Sequence, residues 1–255
     1  MNYRIKPLLL GKLQMSKGQM TYFLDWEKLI WSAHVFWYIK ADDKNVLVDT
    51  GISGSDIQKY LYGHAYEDIM PFDQALKSVG ITPEDVDIVI QTHLHYDHCG
   101  HTQLCKNAKV IVQEEELKFA YSPHALFYGA YNLSFLKDVK FRVVSGESQI
   151  LPGIKVLPVP GHSPGAQAVS IETEKGTAII SGFCSINENF FPPEKLRLRW
   201  PVLAPAVSVN SLQAFDSALK VKSLADIIIP LHEMELAEKS EIPIISDKSD
   251  EGQDT

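Results

Sequence analysis

Between positions 93 and 98 the chain reads His93-Leu-His95-Tyr-Asp97-His98, four groups able to hold a metal ion within six residues. Imidazole suits zinc, iron and manganese, and a carboxylate beside it adds a harder oxygen donor, so the mixture fits a first-row divalent ion. Side chains this dense on a tight loop cannot all be spent on packing. His162, in PVPGHSPG, follows the apolar run IKVLPV, and His232 follows DIIIP. Strand ends are rigid platforms for ligands, so three such ends meeting at one rim complete a metal site of five histidines and Asp97. Asp49 closes the run NVLVDTG, where its own local reading is a strand-end Asx turn.

The elements that must carry these residues alternate strand and helix. The first 50 residues pattern as sheet, RIKPLLLGKL and then VFWYIK and NVLVDTG about a polar ADDKN turn. Residues 55–63 and 71–79 read as short helices, the second starting at Pro71 and stopping before Gly80. A Thr82/Asp85 capping pattern leads into the strand 87–92 that delivers the histidine loop. AKVIVQEEELKFAY gives a strand and then a helix whose first turn, Glu114, Glu115 and Glu116, suits the positive end of the helix dipole. After an aromatic, irregular stretch at 121–138, residues 141–183 read as a meander of four or five strands forming a second sheet. Residues 208–224 space Leu212, Phe215, Leu219 and Leu224 as an amphipathic helix feeding the strand ADIIIPLH.

Composition bounds the rest. The 255 residues are 45% apolar and 22% charged, an ordinary globular balance, and predict one domain over 1–239 with an acidic, mobile tail over 240–255. Lys and Arg total 24 against 32 Asp and Glu, giving a net charge of −8; the five acids and one Lys of 240–255 supply −4 of it. That sign argues against nucleic acid and anionic membranes as partners and leaves a small-molecule substrate. No apolar run approaches the roughly 20 residues of a membrane helix, and the N-terminal Leu-Leu-Leu is too short for a signal peptide. With three cysteines, an odd count, the expectation is a cytoplasmic protein with reduced thiols. P-loop and GxGxxG motifs are absent, which removes the common nucleotidase and dinucleotide alternatives.

HLHYDH, the PGHSPG histidine, the LHE histidine and the VLVDTG segment together resemble the HxHxDH signature set of the metallo-β-lactamase superfamily, in order and spacing over residues 5–233. That resemblance implies an α/β fold, a four-layer αβ/βα sandwich of two mixed sheets flanked by helices, with one or two metal ions at the sheet edges. Within the superfamily, HLHYDH, LPGIKVLPVPGHSPGAQAVSIET and the ENF at 188–190 resemble the N-acyl homoserine lactonases. The resemblance implies a first metal on His93, His95 and His162 and a second on Asp97, His98 and His232. It also implies Asp49 behind the ligand loop, and zinc as the metal, with iron or manganese as alternatives.

Two positions depart from the lactonase pattern. Where the family carries a bridging Asp after the strand here reading TAIISG, this chain has Phe183-Cys184-Ser185. A thiolate is a good zinc ligand, so Cys184 is the candidate replacement, with burial as a small apolar residue the competing reading. The family's Tyr three residues later is replaced by the Ile186-Asn187 neighbourhood. Phe127, Tyr128, Tyr131 and Phe135 are candidates for the wall of an apolar substrate pocket, against core packing. Cys99, Cys105 and His101 read as structural, and His34, His64 and His124 join no constellation.

The expected chemistry is hydrolysis: a hydroxide held by the metals attacks the carbonyl of a small lactone or ester, one metal polarises its oxygen, and Asp97 relays a proton to the leaving group. The alternatives are an iron-dependent redox enzyme of the same scaffold, such as a sulfur dioxygenase, and a non-catalytic small-molecule-binding protein.

Overall fold

The computed structural model describes residues 2–60 and 63–243. The first sheet is built from β1 (Ile5–Ser16), β2 (Leu29–Ala41), β3 (Lys44–Val48), β4 (Tyr66–Asp68), β5 (Ile88–Ile90), β6 (Lys109–Gln113) and β7 (Phe141–Val144), in the order β4-β1-β2-β3-β5-β6-β7. Its β1–β2–β3 half is antiparallel and its β3–β5–β6–β7 half parallel. The second sheet orders β12 (Ile227–Ile229), β11 (Gly176–Ile180), β10 (Gln167–Thr173), β9 (Ile154–Pro158) and β8 (Ser148–Leu151), antiparallel except for the parallel β11–β12 pair. Both sheets are mixed and helices cover their outer faces, so the fold is the expected sandwich.

Period-two alternation along β2 shows how the layers divide. Ala33, Val35, Trp37 and Ile39 enter the core between the sheets with Val156, Val169 and Ile180, whereas Phe36 and Tyr38 join the opposite core under the Phe72–Ser78 helix. The second sheet's outer face packs on the Ser211–Leu224 helix through Leu157, Ala168, Ile179, Ala218 and Val221.

The local readings mostly held, with informative differences. Thr82 donates both its amide and its hydroxyl to Asp85 Oδ2 at 2.8 and 2.9 Å, but the turn they close is a single 3-10 turn, Pro83–Asp85. Of the segment read as a helix over 55–63, the described residues are helical over Gly54–Ile57 and turn after it. Phe141–Val144, expected in the second sheet, pairs in parallel with β6 and ends the first; the meander begins at Ser148. In the long helix, Leu212 and Leu224 face solvent while Ala214, Ser217, Ala218 and Val221 are buried. The Gly161 loop packs so close to this helix that a side chain at 161 would meet the Ala214 backbone at 2.2 Å, which requires small residues on the inner face. Packing also continues past 239: Ile242 is buried and bridges Ile5, and residues 244–255 of the expected tail lie outside the described residues. No helix among the described residues is long and apolar enough to cross a membrane.

Candidate metal centre

The parallel half of the first sheet delivers Asp49, just after β3, and His93, three residues after β5, side by side, because Val48 pairs with Ile90. A one-turn helix, Tyr96–Cys99, folds the HLHYDH run back so that Thr50 donates its amide to His98 O at 2.8 Å. The second sheet supplies the other two histidines, His162 from the loop between β9 and β10 and His232 just after β12. Two sheets therefore meet at one rim, and the ligand atoms of His93, His95 and His162 lie within 4.8 Å of one another, as do those of Asp97, His98 and His232. The His93 and His98 rings, one from each group, are 4.2 Å apart.

The hydrogen bonds on the far side of the rings fix which nitrogen faces inward. His162 Nδ1 donates to Val207 O at 2.5 Å and His232 Nδ1 to Ala33 O at 3.0 Å. His98 Nδ1 donates to Asp49 Oδ2 at 2.9 Å. Thr92 commits its hydroxyl proton to Asp49 Oδ2 at 2.8 Å, so its oxygen accepts from His93 Nδ1 at 3.0 Å. His93 and His162 then turn bare Nε2 lone pairs toward each other at 3.2 Å, and His95 Nε2 is buried without a partner among the described residues. Facing lone pairs repel unless a cation stands between them, so these residues fit a divalent metal.

Asp49 is the hub behind this arrangement. Fully buried, it accepts from the Thr92 amide at 2.7 Å, the Thr92 hydroxyl and His98. Its φ of 61° is left-handed, a region that Asp tolerates better than most residues.

Burial dominates the titration of the site. It pushes His162 and His232 down to about 4 and moves His93 and His95 well below their ordinary value too, which keeps these rings neutral as ligands must be. Burial works against His98 too, but the carboxylates of Asp97 and Asp49 more than offset it and move it up. Burial raises Asp97, yet the surrounding imidazoles outweigh that and hold its carboxyl well below the usual range.

Other candidates divide. Cys184 belongs to neither ligand group; it is buried with its thiol against Met20 Sδ at 3.0 Å, and burial pushes that thiol well up, as expected of a packed residue. Of the four aromatics, Phe127 lines the cavity above the histidines. Tyr131 packs edge-on to the His95 ring at 4.9 Å, Phe135 is in the core, and Tyr128 is 73% exposed, because this segment winds in 3-10 turns that point its aromatics in different directions. His101 donates to Thr50 O and stacks on Phe72.

Sequence reasoning missed Glu116. It is fully buried, accepting from Leu94 N at 2.9 Å, Tyr131 Oη at 3.2 Å, Ser163 Oγ at 2.6 Å and Gly165 N at 3.1 Å. Three of those donors come from the ligand-bearing loops, Leu94 from the one carrying His93 and His95 and Ser163 and Gly165 from the one carrying His162. Its burial was hidden among three acids in one helical turn. His34 was missed as well; it and Ser32 line the same cavity, of about 260 Å³, with Leu13, Met15 and Met20.

A two-sheet α/β sandwich carrying a buried, histidine-rich cation site at the joint of its sheets is the class that fold and geometry define. The metallo-beta-lactamase superfamily model matches residues 29–221, and the chain belongs to that superfamily. Among curated relatives it is 29% identical over 157 residues to an N-acyl homoserine lactonase of Bacillus cereus, covering 56% of this chain and 59% of that protein. It is 27% identical over 193 residues to one of Bacillus thuringiensis, covering 71% and 74%. The alignments to the first of these and to a Bacillus sp lactonase thus span under two thirds of those proteins' length. A solved N-acyl homoserine lactone hydrolase with N-hexanoyl-L-homoserine bound at its catalytic metal center superposes with a TM-score of 0.75 at 25% identity, covering 92% of this chain and 95% of that one. The dizinc lactonase AidC, 17% identical with a TM-score of 0.69, shares the fold.

Proposed function

We propose that this protein is a metal-dependent hydrolase that opens a small lactone or ester, as the lactonases it resembles do. The observation that supports it most is the inward-facing set of bare imidazole nitrogens and one carboxylate on the floor of a partly apolar cavity. In this reading His93, His95 and His162 hold one ion and Asp97, His98 and His232 a second, with zinc the first choice and iron or manganese the alternatives. Divalent ions there would lower the pKa of a coordinated water from about 16 to about 7 and polarise a carbonyl oxygen.

The chain's own residues do the rest. Asp49, through Thr92 and His98, holds two imidazoles in the tautomer that leaves Nε2 free. Asp97, kept ionised by its histidine neighbours, takes a proton at its carboxylate and hands it to the leaving alkoxide. Leu13, Met15, Met20 and Phe127 receive the apolar part of the substrate and exclude water. Three buried, unpaired cysteines support a reducing, cytoplasmic setting.

Metal analysis of the purified protein combined with a panel of lactones, aryl esters and thioesters tests this. Two equivalents of metal and lactone turnover that a chelator abolishes and zinc restores are expected. A protein that retains iron and consumes oxygen would instead favour the redox reading.

A further inference from the structure

Three segments that line the cavity over the metal centre also carry large apolar side chains into solvent: 17–29, which gives Met20 to the wall, 121–136, which gives Phe127, and 198–212, which gives Val207. The first presents Tyr22, Phe23 and Trp26, each about half exposed, in a row with ring centroids 5.4 and 5.6 Å apart. The second turns out Leu126 and Tyr128 on either side of Phe127, and the third Leu198, Trp200 and Leu212. Tyr22, Trp200 and Leu212 share one groove of about 170 Å³, so the first and third segments form one surface. The aromatic row is held in place. Tyr22, Phe23 and Asp25 all take left-handed φ, at 50°, 68° and 52°, a region that residues with a side chain ordinarily avoid. The buried Lys17 ammonium steadies that backbone, lying 2.7 Å from the carboxylates of both Asp25 and Glu188.

Charge says what such a surface meets. Residues 121–136 and 200–215 hold no Asp, Glu, Lys or Arg, although 22% of the chain is charged. Residues 194–200 read EKLRLRW, three cations against one acid, alternating with Leu196, Leu198 and Trp200. Leu198 is fully exposed between Arg197 and Arg199, and none of the three cations forms a salt bridge among the described residues. Apolar and aromatic groups ringed by long cationic side chains match an anionic lipid surface, where the rings pass below the headgroups while guanidinium and ammonium groups stay with the phosphates. The chain as a whole carries −8, so a face of the opposite sign makes the molecule dipolar, and an anionic surface turns that face toward itself. A second copy fits worse: a two-fold contact through this face would set Lys195, Arg197 and Arg199 against the same cations of the other copy.

We propose that this surface docks the protein on an anionic lipid membrane, with Tyr22, Phe23, Trp26, Leu198 and Trp200 entering the interface and Lys195, Arg197 and Arg199 meeting its phosphates. The segments that dock are those that border the cavity, so apolar ligands enter it from the bilayer. Docking goes beyond the hydrolase reading and does not depend on it; only the traffic of substrate does.

The test is flotation of the metal-loaded protein with vesicles of phosphatidylcholine and phosphatidylglycerol mixed two to one, against vesicles of phosphatidylcholine alone. Wild type is expected to float with the mixed vesicles and to be released by added salt. Binding should weaken about tenfold or more in Leu198→Asp and in the double variant Arg197→Glu with Arg199→Glu. Leu198 is fully exposed, so Leu198→Asp should keep the wild-type melting temperature and metal content, which separates docking from folding. Wild type that floats with neither vesicle overturns the proposal, and so does undiminished flotation of both variants. A wild-type dimer in analytical ultracentrifugation that Leu198→Asp dissociates assigns the face to a second copy and overturns it as well. A wild type that floats as expected but cleaves no ester or lactone sinks the hydrolase reading alone and leaves the docking supported.

Discussion

Ser163 and Glu116, 47 residues apart, meet in a 2.6 Å hydrogen bond that ties the loop carrying His162 to the helix after β6. The other carboxylate oxygen of Glu116 takes the Leu94 amide, so one buried side chain clamps two of the three ligand-bearing loops. Glu116→Ala would leave Leu94 N, Gly165 N and two hydroxyls unpaired. A loss of about 3 kcal/mol in denaturant unfolding is expected, with at least tenfold weaker metal retention. A change under about 1 kcal/mol would show that water substitutes for the carboxylate.

Gly165 sits where a methyl group would meet the Glu116 amide nitrogen at 2.0 Å, backbone against side chain with no flexible end to yield. Gly165→Ala should therefore destabilise the protein by about 2 kcal/mol or more and lower metal occupancy in step. Circular-dichroism melting with parallel metal analysis checks both; normal melting would mean that the two loops can separate freely.

Asp49→Asn keeps the shape but exchanges an acceptor-only carboxylate for an amide that cannot accept from Thr92 N, Thr92 Oγ1 and His98 Nδ1 together. Metal affinity is expected to fall about 10- to 100-fold, read by competition with a chromophoric chelator. Wild-type affinity would remove Asp49 from the ligand-orienting role.

Cys184 touches Met20 rather than the ligand atoms, so Cys184→Ala should retain the wild-type number of metal equivalents. Loss of an equivalent on elemental analysis would restore the thiolate as the replacement for the family's bridging Asp.

The Asp85 carboxyl is lowered from its ordinary 3.8 by the Thr82 amide and then the Thr82 hydroxyl. A depressed carboxylate contributes stability that is present above its unfolded value and lost as pH falls through its folded one. Wild type should melt above Asp85→Asn at pH 7, and the gap should close as pH drops below 3.8. No gap at pH 7 would mean that the amide caps the turn equally well.

The candidate ligands were legible because they cluster or follow apolar strands, and a strand terminus is set by local pattern. Residues that act by being buried were not. Glu116 reads like Glu114 and Glu115 beside it, and only its position against Leu94 and Gly165 separates it from those exposed neighbours. The helix after Asn210 was legible in its spacing, and Phe215 and Leu219 do pack on the second sheet, but the close Gly161 loop turns the alanine face inward and leaves Leu212 and Leu224 in solvent.

By itself the sequence determined the alternation of strand and helix, the HLHYDH loop and the two distant histidines, because ligand type, hydrophobic period and turn residues are local properties. Tertiary structure alone decided that β7 closes the first sheet, that Cys184 turns to Met20 and that Ser32 and His34 look into the cavity. Each of those depends on what lies opposite a side chain across a sheet or a cleft. The Cys184–Met20 contact joins residues 164 positions apart, beyond the reach of any periodicity along the chain.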